Sequence, residues 1–261
     1  MQVKKRVVYA FAHAGANVNT YIPWVNLANS DDALIFCPIE RPGRGRLSSE
    51  PEENDLSELI AFLAREVYQD YLCKQQQGYS EWATFGHSFG GVISAAVAQK
   101  LTESYQMKPA VSVISGSVAP CVQKPEYLNI LSDEEILQKL RADQGTPEAI
   151  LNEPLLVTPI IRQLRNDYVL KGQFEEVACL QLHHPVVLIS ARDDVDIPLN
   201  KIEAWQRHCK FPTTTIEIDG GHFAIYQNWA EVRQALSAHY LEADTLPQSI
   251  TRSETYDYAM R

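Results

Sequence analysis

A serine between two glycines is the residue of this chain whose surroundings most favour nucleophilic chemistry. Residues 82–91 read WATFGHSFGG, so a run typical of a buried strand leads into GHSFG around Ser88 and then into a helix of small residues. This is the G-x-S-x-G pattern in the strand–turn–helix setting that pushes a serine hydroxyl outward. Glycines are needed on both sides because strand and helix crowd together there. We predict that Ser88 is a nucleophile; the alternative is a glycine-rich turn whose serine only caps the helix.

A serine hydroxyl needs a base, and a histidine near the C-terminal end of the chain is the candidate. His222 lies in IDGGHF, on a glycine-hinged loop after a predicted strand, and it follows the serine in the chain order that such turns have. His183 and His184 are weaker alternatives, because they enter a strand and point to opposite faces. The remaining histidines precede or adjoin the serine or lie in helical patterns: His13, His87, His208 and His239.

The base needs an acid to orient it, and three aspartates are candidates. Asp193, Asp194 and Asp196 lie in LISARDDVDIP, just past a predicted strand. Active sites of α/β proteins gather at such carboxyl ends. The residues alone do not choose among the three. Asp219 lies close before the candidate histidine and is instead predicted to be a solvated residue at a strand end.

Short apolar runs alternate with amphipathic stretches and would position these residues. The alternation is typical of β–α units around a mostly parallel sheet, and runs rich in Val and Ile indicate strands covered on both faces. The predicted strands are Arg6–Ala12, Ala33–Pro38, Trp82–Gly86, Ala110–Ser115, Val186–Ala191 and Thr214–Ile218. The predicted helices are Leu56–Tyr71, Gly91–Tyr105, Ile202–Cys209 and Trp229–Leu241.

The block from about residue 121 to 179 breaks this alternation with helices alone. Ser132 and Glu135 form a capping-box pattern, and Pro147 suits the start of a second helix. An apolar face at helical spacing follows, at Val157, Ile160, Ile161, Leu164 and Tyr168. We predict a helical lid that shapes substrate access, or else an ordinary structural insertion. The chain is thus one domain over residues 1–243 with this lid, and periodicity is lost in a loose tail over 244–261.

Composition narrows the classes of function. Lys plus Arg number 23 against 33 Asp plus Glu, a formal net charge of −10, which disfavours binding to nucleic acid or to an anionic membrane surface. The five cysteines lie far apart without a C-x-x-C pair, which favours free thiols in a reducing cytoplasm over a disulfide framework or a zinc module. We expect a cytoplasmic protein that has neither a nucleic-acid nor a membrane partner and binds no metal.

Taken together, the motifs resemble those of the type II thioesterases. These are stand-alone α/β-hydrolases that accompany nonribosomal peptide and polyketide synthases. The resemblance covers roughly residues 5–240 and rests on FAHAGAN (11–17), PGRGRL (42–47), GHSFGG (86–91), LSDEEILQKLRADQGTPEAIL (131–151), LRNDY (164–168), DDVDIP with Trp205, and DGGHFAI. Ala12 and Ala16 stand where FPHAGG is usual, so we expect the loop to differ in rigidity rather than in chemistry.

The resemblance implies an α/β-hydrolase fold, a mostly parallel sheet flanked by helices with an inserted helical lid. In that family the acid stands four residues before a proline, so Pro198 selects Asp194 as the acid. The implied catalytic residues are then Ser88, Asp194 and His222. The implied oxyanion donors are the backbone N–H groups of Phe89 and Ala14.

The resemblance also implies serine-dependent hydrolysis of acyl thioesters on phosphopantetheinyl carrier proteins, which removes stalled or misprimed acyl groups. It implies acyl or peptidyl carrier domains as partners, no cofactor beyond the arm of the carrier, and a monomer. The alternatives are a fatty-acyl chain-releasing thioesterase or a general carboxylesterase of the same fold. A non-catalytic carrier-binding accessory protein is the alternative from another class, and the complete Ser, Asp and His set counts against it.

Three arginines cluster in one loop: Arg41, Arg44 and Arg46. They would meet a phosphopantetheine phosphate or an acidic carrier, or they form a solvated loop that pairs with Glu40 or Glu50.

Overall fold

A parallel sheet forms the centre of the structure. The computed structural model describes residues 4–28, 34–123, 130–143, 145–177, 179–234 and 236. Six strands pair in parallel in the order β2-β1-β3-β4-β5-β6. They are β1 (Lys5–Phe11), β2 (Leu34–Pro38), β3 (Tyr79–His87), β4 (Ser112–Ser115), β5 (Val186–Ala191) and β6 (Thr214–Ile218). The predicted α/β class with a mostly parallel sheet is confirmed.

The inner strands of the sheet are mostly apolar on both faces because helices cover both faces. Alternate residues of β1 enter two different cores: Val7 and Tyr9 pack in one, and Val8 and Ala10 in the other. A strand that is buried on both faces does not alternate between apolar and polar residues, which explains the continuous apolar run of β1 in the sequence.

In the described part of the chain, seven α-helices precede β6 and lie against the sheet or in the lid. They are α1 (Ile22–Ala28), α2 (Leu56–Gln76), α3 (Phe89–Tyr105), α4 (Asp133–Asp143), α5 (Glu148–Leu151), α6 (Pro154–Lys171) and α7 (Leu199–Glu203). Asp55 caps α2 by accepting from the Glu58 backbone N–H at 3.0 Å. Residues 229–234 are also helical. None of the described helices combines the length and the apolar composition that crossing a bilayer requires.

Several predicted bounds differ from the structure. The helical segment predicted over Ile202–Cys209 is confirmed as far as His208, but it begins earlier and is divided, since α7 ends at Glu203 and a 3₁₀ helix, Ala204–His208, follows. The tighter winding brings residues three apart to one side, which lets Trp205 and His208 both be buried. The rest of the predicted Trp229–Leu241 helix, beyond residue 236, and the tail over 244–261 lie outside the described residues, as does residue 33 at the predicted start of β2.

The predicted helical lid lies between β4 and β5. The capping box is confirmed: the Ser132 N–H donates to Glu135 at 2.8 Å, and the Glu135 N–H donates to Ser132 Oγ at 3.2 Å. Helices α4 to α6 share a small core of their own, which consists of Ile136, Leu151, Val157, Ile161, Leu164 and Tyr168. Ala14, in the loop after β1, packs against this core. The lid therefore packs over the carboxyl end of β1.

Candidate active site

Ser88 lies in a strained turn between β3 and α3. Its backbone has φ 55° and ψ −121°, a conformation that costs free energy in a residue other than glycine and is common at functional sites. Its N–H donates to the Ser115 carbonyl at 2.8 Å. A Cβ at Gly86 would lie 2.0 Å from the Gly90 carbonyl oxygen, and one at Gly90 would lie 2.0 Å from the Phe11 oxygen. Only glycine therefore fits on either side of this serine.

His222 contacts one of the three candidate aspartates. Its Nδ1 lies 2.6 Å from Asp194 Oδ2, and the Asp194 side chain is 2 % exposed. The other oxygen, Oδ1, accepts from the N–H groups of Asp196 at 3.2 Å and Ile197 at 3.1 Å. These hydrogen bonds fix the direction of the carboxylate. The side chains of Asp193 and Asp196 are exposed.

The surface position predicted for Asp219 is confirmed. Its side chain is 86 % exposed and pairs with Arg192. It therefore stands outside the contact between Asp194 and His222.

Ser88 and His222 line one cavity of about 510 Å³, and the lid forms its roof. The lid contributes Leu140, Ile150, Ile160, Leu164 and Tyr168 to the lining, beside Lys139 and Lys171. In the described part of the chain no hydrogen bond joins Ser88 Oγ to His222. Catalytic hydrogen bonds are often long in substrate-free sites and tighten when the substrate binds.

Two further histidines stand behind His222. The ring of His87 lies 4.7 Å from that of His222, and the ring of His13 lies 6.1 Å from that of His87. Burial and then the nearby His222 lower the pKa of His13 to about 3 and that of His87 well below its usual value. Both are therefore neutral at pH 7 and poor bases. The packing of His87 against His222, and of His13 against His87, was not predicted from the sequence.

The two weaker alternatives for the base do not line this cavity. His184 is buried, and its Nε2 lies 2.7 Å from Ser112 Oγ on β4. His183 precedes it on the segment that enters β5. Neither side chain is placed to take a proton from Ser88.

The two residues expected to supply oxyanion donors lie on either side of the serine. Phe89 is the first residue of α3, and Ala14 lines the cavity from the loop after β1. A helix N-terminus and a loop N–H together suit a developing negative charge.

The solvated basic loop predicted for the arginine cluster is wrong for Arg41 and Arg44, which are both buried. They contact Asp167 of the lid helix α6, at 2.8 Å from Arg41 Nη1 and 2.5 Å from Arg44 Nη2. Glu40, the expected partner, accepts instead from the Arg41 backbone N–H at 3.3 Å. Arg46 is exposed.

Asp167 was missed because its partners lie more than 120 residues away in the sequence. The available signal was an aspartate between Leu164 and Tyr168, on the apolar face of a predicted helix. Burial and the neighbouring Arg44 lower the pKa of Arg41 to about 10 while Asp167 opposes this shift, so the guanidinium stays charged at pH 7.

Comparisons with known proteins show the family and the fold of this chain. A family model described as the thioesterase domain matches residues 6–240. The gramicidin S biosynthesis protein GrsT of Aneurinibacillus migulanus is 24 % identical over 227 residues, which cover 86 % of this chain and 85 % of that protein.

Two solved structures share the fold. ClbQ from the colibactin pathway superposes with a TM-score of 0.80 at 22 % identity over 94 % of this chain and 100 % of that one. YbtT, a type II thioesterase from the yersiniabactin pathway, gives 0.75 at 21 % identity over 92 % and 94 % of the two chains. The predicted resemblance to type II thioesterases and the α/β-hydrolase fold are confirmed. The match over residues 6–240 shows that the chain belongs to the thioesterase domain family.

Proposed function

We propose that this thioesterase hydrolyses acyl thioesters on the phosphopantetheine arms of carrier proteins, with Ser88 as its nucleophile. The observation that carries the proposal is the contact between Asp194 and His222 in the same cavity as Ser88, which lies on a strained turn. A serine, a histidine and an acid in this relation form the constellation for acyl transfer.

In the proposed reaction, Ser88 Oγ attacks the thioester carbonyl while His222 Nε2 takes the hydroxyl proton. Asp194 Oδ2 accepts from Nδ1–H and stabilises the imidazolium. The N–H groups of Phe89 and Ala14 donate to the oxyanion. The C–S bond then breaks, and His222 returns its proton to the thiolate of the arm. A water molecule repeats the sequence on the acyl-enzyme and releases the carboxylic acid, so no cofactor takes part.

The cavity suits an acyl group on a charged arm. The lid lines it with apolar side chains and with Lys139 and Lys171, and Lys201 lines it from α7. The carboxylates of Asp143 and Asp196 also line it, so lysines outnumber carboxylates there although the chain carries a formal net charge of −10. These ammonium groups would meet the phosphate of the arm. Relatives from gramicidin S and colibactin biosynthesis support acyl or peptidyl carrier domains as the partners. We place the protein in the cytoplasm as a monomer that clears stalled or misprimed carriers.

The decisive experiment compares one acyl group on three leaving groups: a holo carrier protein, coenzyme A and p-nitrophenol. We expect the highest kcat/KM for the carrier, because remote contacts with the carrier stabilise the transition state. Short acyl chains should be accepted broadly. Equal or better turnover of the p-nitrophenyl ester would favour a general carboxylesterase, and a strong preference for long chains would favour fatty-acyl release.

A covalent test separates catalysis from carrier binding alone. A fluorophosphonate should label the parent protein at Ser88, and Ser88→Ala should lose both the label and the hydrolysis while it keeps its fold. A parent protein that binds acyl carriers without labelling would be the accessory protein of the alternative class. An adduct on a cysteine would contradict the mechanism.

A further inference from the structure

The lid residue Asp167 lies at the centre of a buried hydrogen-bond cluster that includes the loop after β1. Its side chain is fully buried. Its two oxygens accept four hydrogen bonds: from the Gly15 backbone N–H at 2.7 Å, from Arg41 Nη1 at 2.8 Å, and from Arg44 Nη1 and Nη2 at 2.9 and 2.5 Å. A buried carboxylate with this many donors is held in one place.

Arg41 extends this cluster to the peptide that carries one proposed oxyanion donor. Its Nη2 donates to the His13 carbonyl at 3.2 Å and to the Ala16 carbonyl at 3.0 Å. The His13 carbonyl belongs to the same peptide unit as the Ala14 N–H. In a trans peptide the C=O and N–H bonds point in opposite directions. A guanidinium that holds the carbonyl on one side therefore directs the N–H to the other.

Hydrogen bonds also fix the backbone of the two residues that follow Ala14. Gly15 has φ +77°, and its N–H points to Asp167. The Ala16 N–H donates back to the His13 carbonyl at 3.2 Å. The guanidinium of Arg41 also lies over the ring of Phe89, 5.1 Å from its centroid. Arg41 thus contacts the residue that carries one expected oxyanion donor and the peptide that carries the other.

We propose that Asp167, on the lid, and Arg41, in the loop after β2, are positioning residues: together they fix the His13–Ala14 peptide so that the Ala14 N–H faces the oxyanion. This rests on the proposed function. Neither side chain touches the substrate, and both act through the backbone of the loop. The lid then does more than cover the cavity. Its packed position on the sheet determines whether the Ala14 N–H is oriented toward the oxyanion.

The test compares two lysine variants of one buried cluster. Arg41→Lys keeps a positive charge near Asp167 but removes the planar guanidinium group, which donates to both the carboxylate and the His13 carbonyl. Arg44→Lys is the matched control, since Arg44 contacts Asp167, Ala16 and Gln163 but not His13. Each variant weakens one ion pair with Asp167, through one hydrogen bond for Arg41 and two for Arg44, so the control disturbs the buried carboxylate at least as much.

We expect Arg41→Lys to lower kcat about 10- to 100-fold with KM within about 2-fold, since losing a whole oxyanion donor costs about 10²- to 10³-fold. Its affinity for a trifluoromethyl ketone, whose adduct carries the oxyanion, should fall by a similar factor. Arg44→Lys should lose less than about 3-fold in each quantity. Thermal unfolding of both variants shows that the comparison is made on folded protein.

Equal losses in the two variants, or an Arg41→Lys enzyme that keeps its affinity for the ketone, would overturn the proposal. If Arg41→Lys melts below the assay temperature, Asp167→Asn replaces it, and the same fall in kcat without a change in KM is required. If that variant does not fold either, the cluster serves the fold and the proposal fails. A parent protein that hydrolyses no thioester and takes no label at Ser88 would refute the proposed function instead.

Discussion

Asp194 is set apart from its two neighbours by where its carboxylate points. It contacts His222, whereas Asp193 and Asp196 are exposed. We expect Asp194→Asn to lower kcat by up to about 10⁴-fold, because an amide supports the wrong histidine tautomer. Asp193→Asn and Asp196→Asn are matched controls and should stay within about 2-fold of the parent. Steady-state kinetics on one acyl thioester checks this, and a severe loss in either control would contradict the assignment.

Local sequence motifs predict some residues of the site but not others. Ser88 and His222 stand in short glycine-containing patterns whose geometry is set by adjacent residues, so the sequence alone could point to them. Asp194 needed the resemblance, because three aspartates shared one loop. The contact between Arg41 and Asp167 could not be predicted, since it joins positions 126 apart and is made by packing of the lid.

At the scale of elements, β1, β3 and α3 approach one another so closely that the turn around Ser88 has no room for side chains at its glycine positions. A methyl group on Gly90 would lie 2.0 Å from the Phe11 carbonyl oxygen. We expect Gly90→Ala to lower the free energy of unfolding by about 3 kcal/mol or more, because backbone cannot move aside as a side chain can. Gly221→Ala is the control, since nothing lies within 4 Å of the added methyl group, and it should change stability by about 0.5 kcal/mol at most.

Denaturant unfolding followed by circular dichroism measures both glycine variants. A Gly90→Ala protein as stable as the parent would show that the strand and helix are further apart than the structure has them.

Strands and helices with a regular hydrophobic pattern were predicted with small errors at their ends. Segments without such a pattern were predicted less well. The continuous apolar runs identified the six strands, although β3 begins earlier, at Tyr79, where its residues are polar. The change from α-helix to 3₁₀ helix within Ile202–Cys209 was not predicted, because burial every three residues and burial every four residues look alike over so short a stretch. The burial of Trp205 and His208 depends on contacts with Ser117 and Leu180, which belong to distant parts of the chain.

For the whole molecule, buried neutral histidines make stability depend on pH. Burial, then the nearby Lys108, lowers the pKa of His184 to about 3, against about 6.5 in the unfolded chain. The unfolded state therefore binds more protons between these values, and stability falls as the pH falls below about 6.5. Each such histidine contributes about 1.4 kcal/mol per pH unit in that range.

Urea unfolding at pH 7, 6 and 5 for the parent protein and His184→Gln isolates one of these groups. Glutamine still offers a polar partner to Ser112, so the variant should unfold with a shallower dependence on pH, by up to about 1.4 kcal/mol per unit. Parallel dependences in the two proteins would show that His184 is protonated in the folded state.

The buried cluster under the lid also has a consequence for the order in which the chain is made. Arg41 and Asp167 are 126 residues apart, and ribosomes add about 5 to 20 residues each second, so the arginine emerges about 6 to 25 s before its carboxylate. Until then its guanidinium must stay hydrated, because an unpaired buried charge is costly. The catalytic edge of the nascent sheet thus stays open to water while β1 and β3 are already complete, and it closes only when α6 has been synthesised.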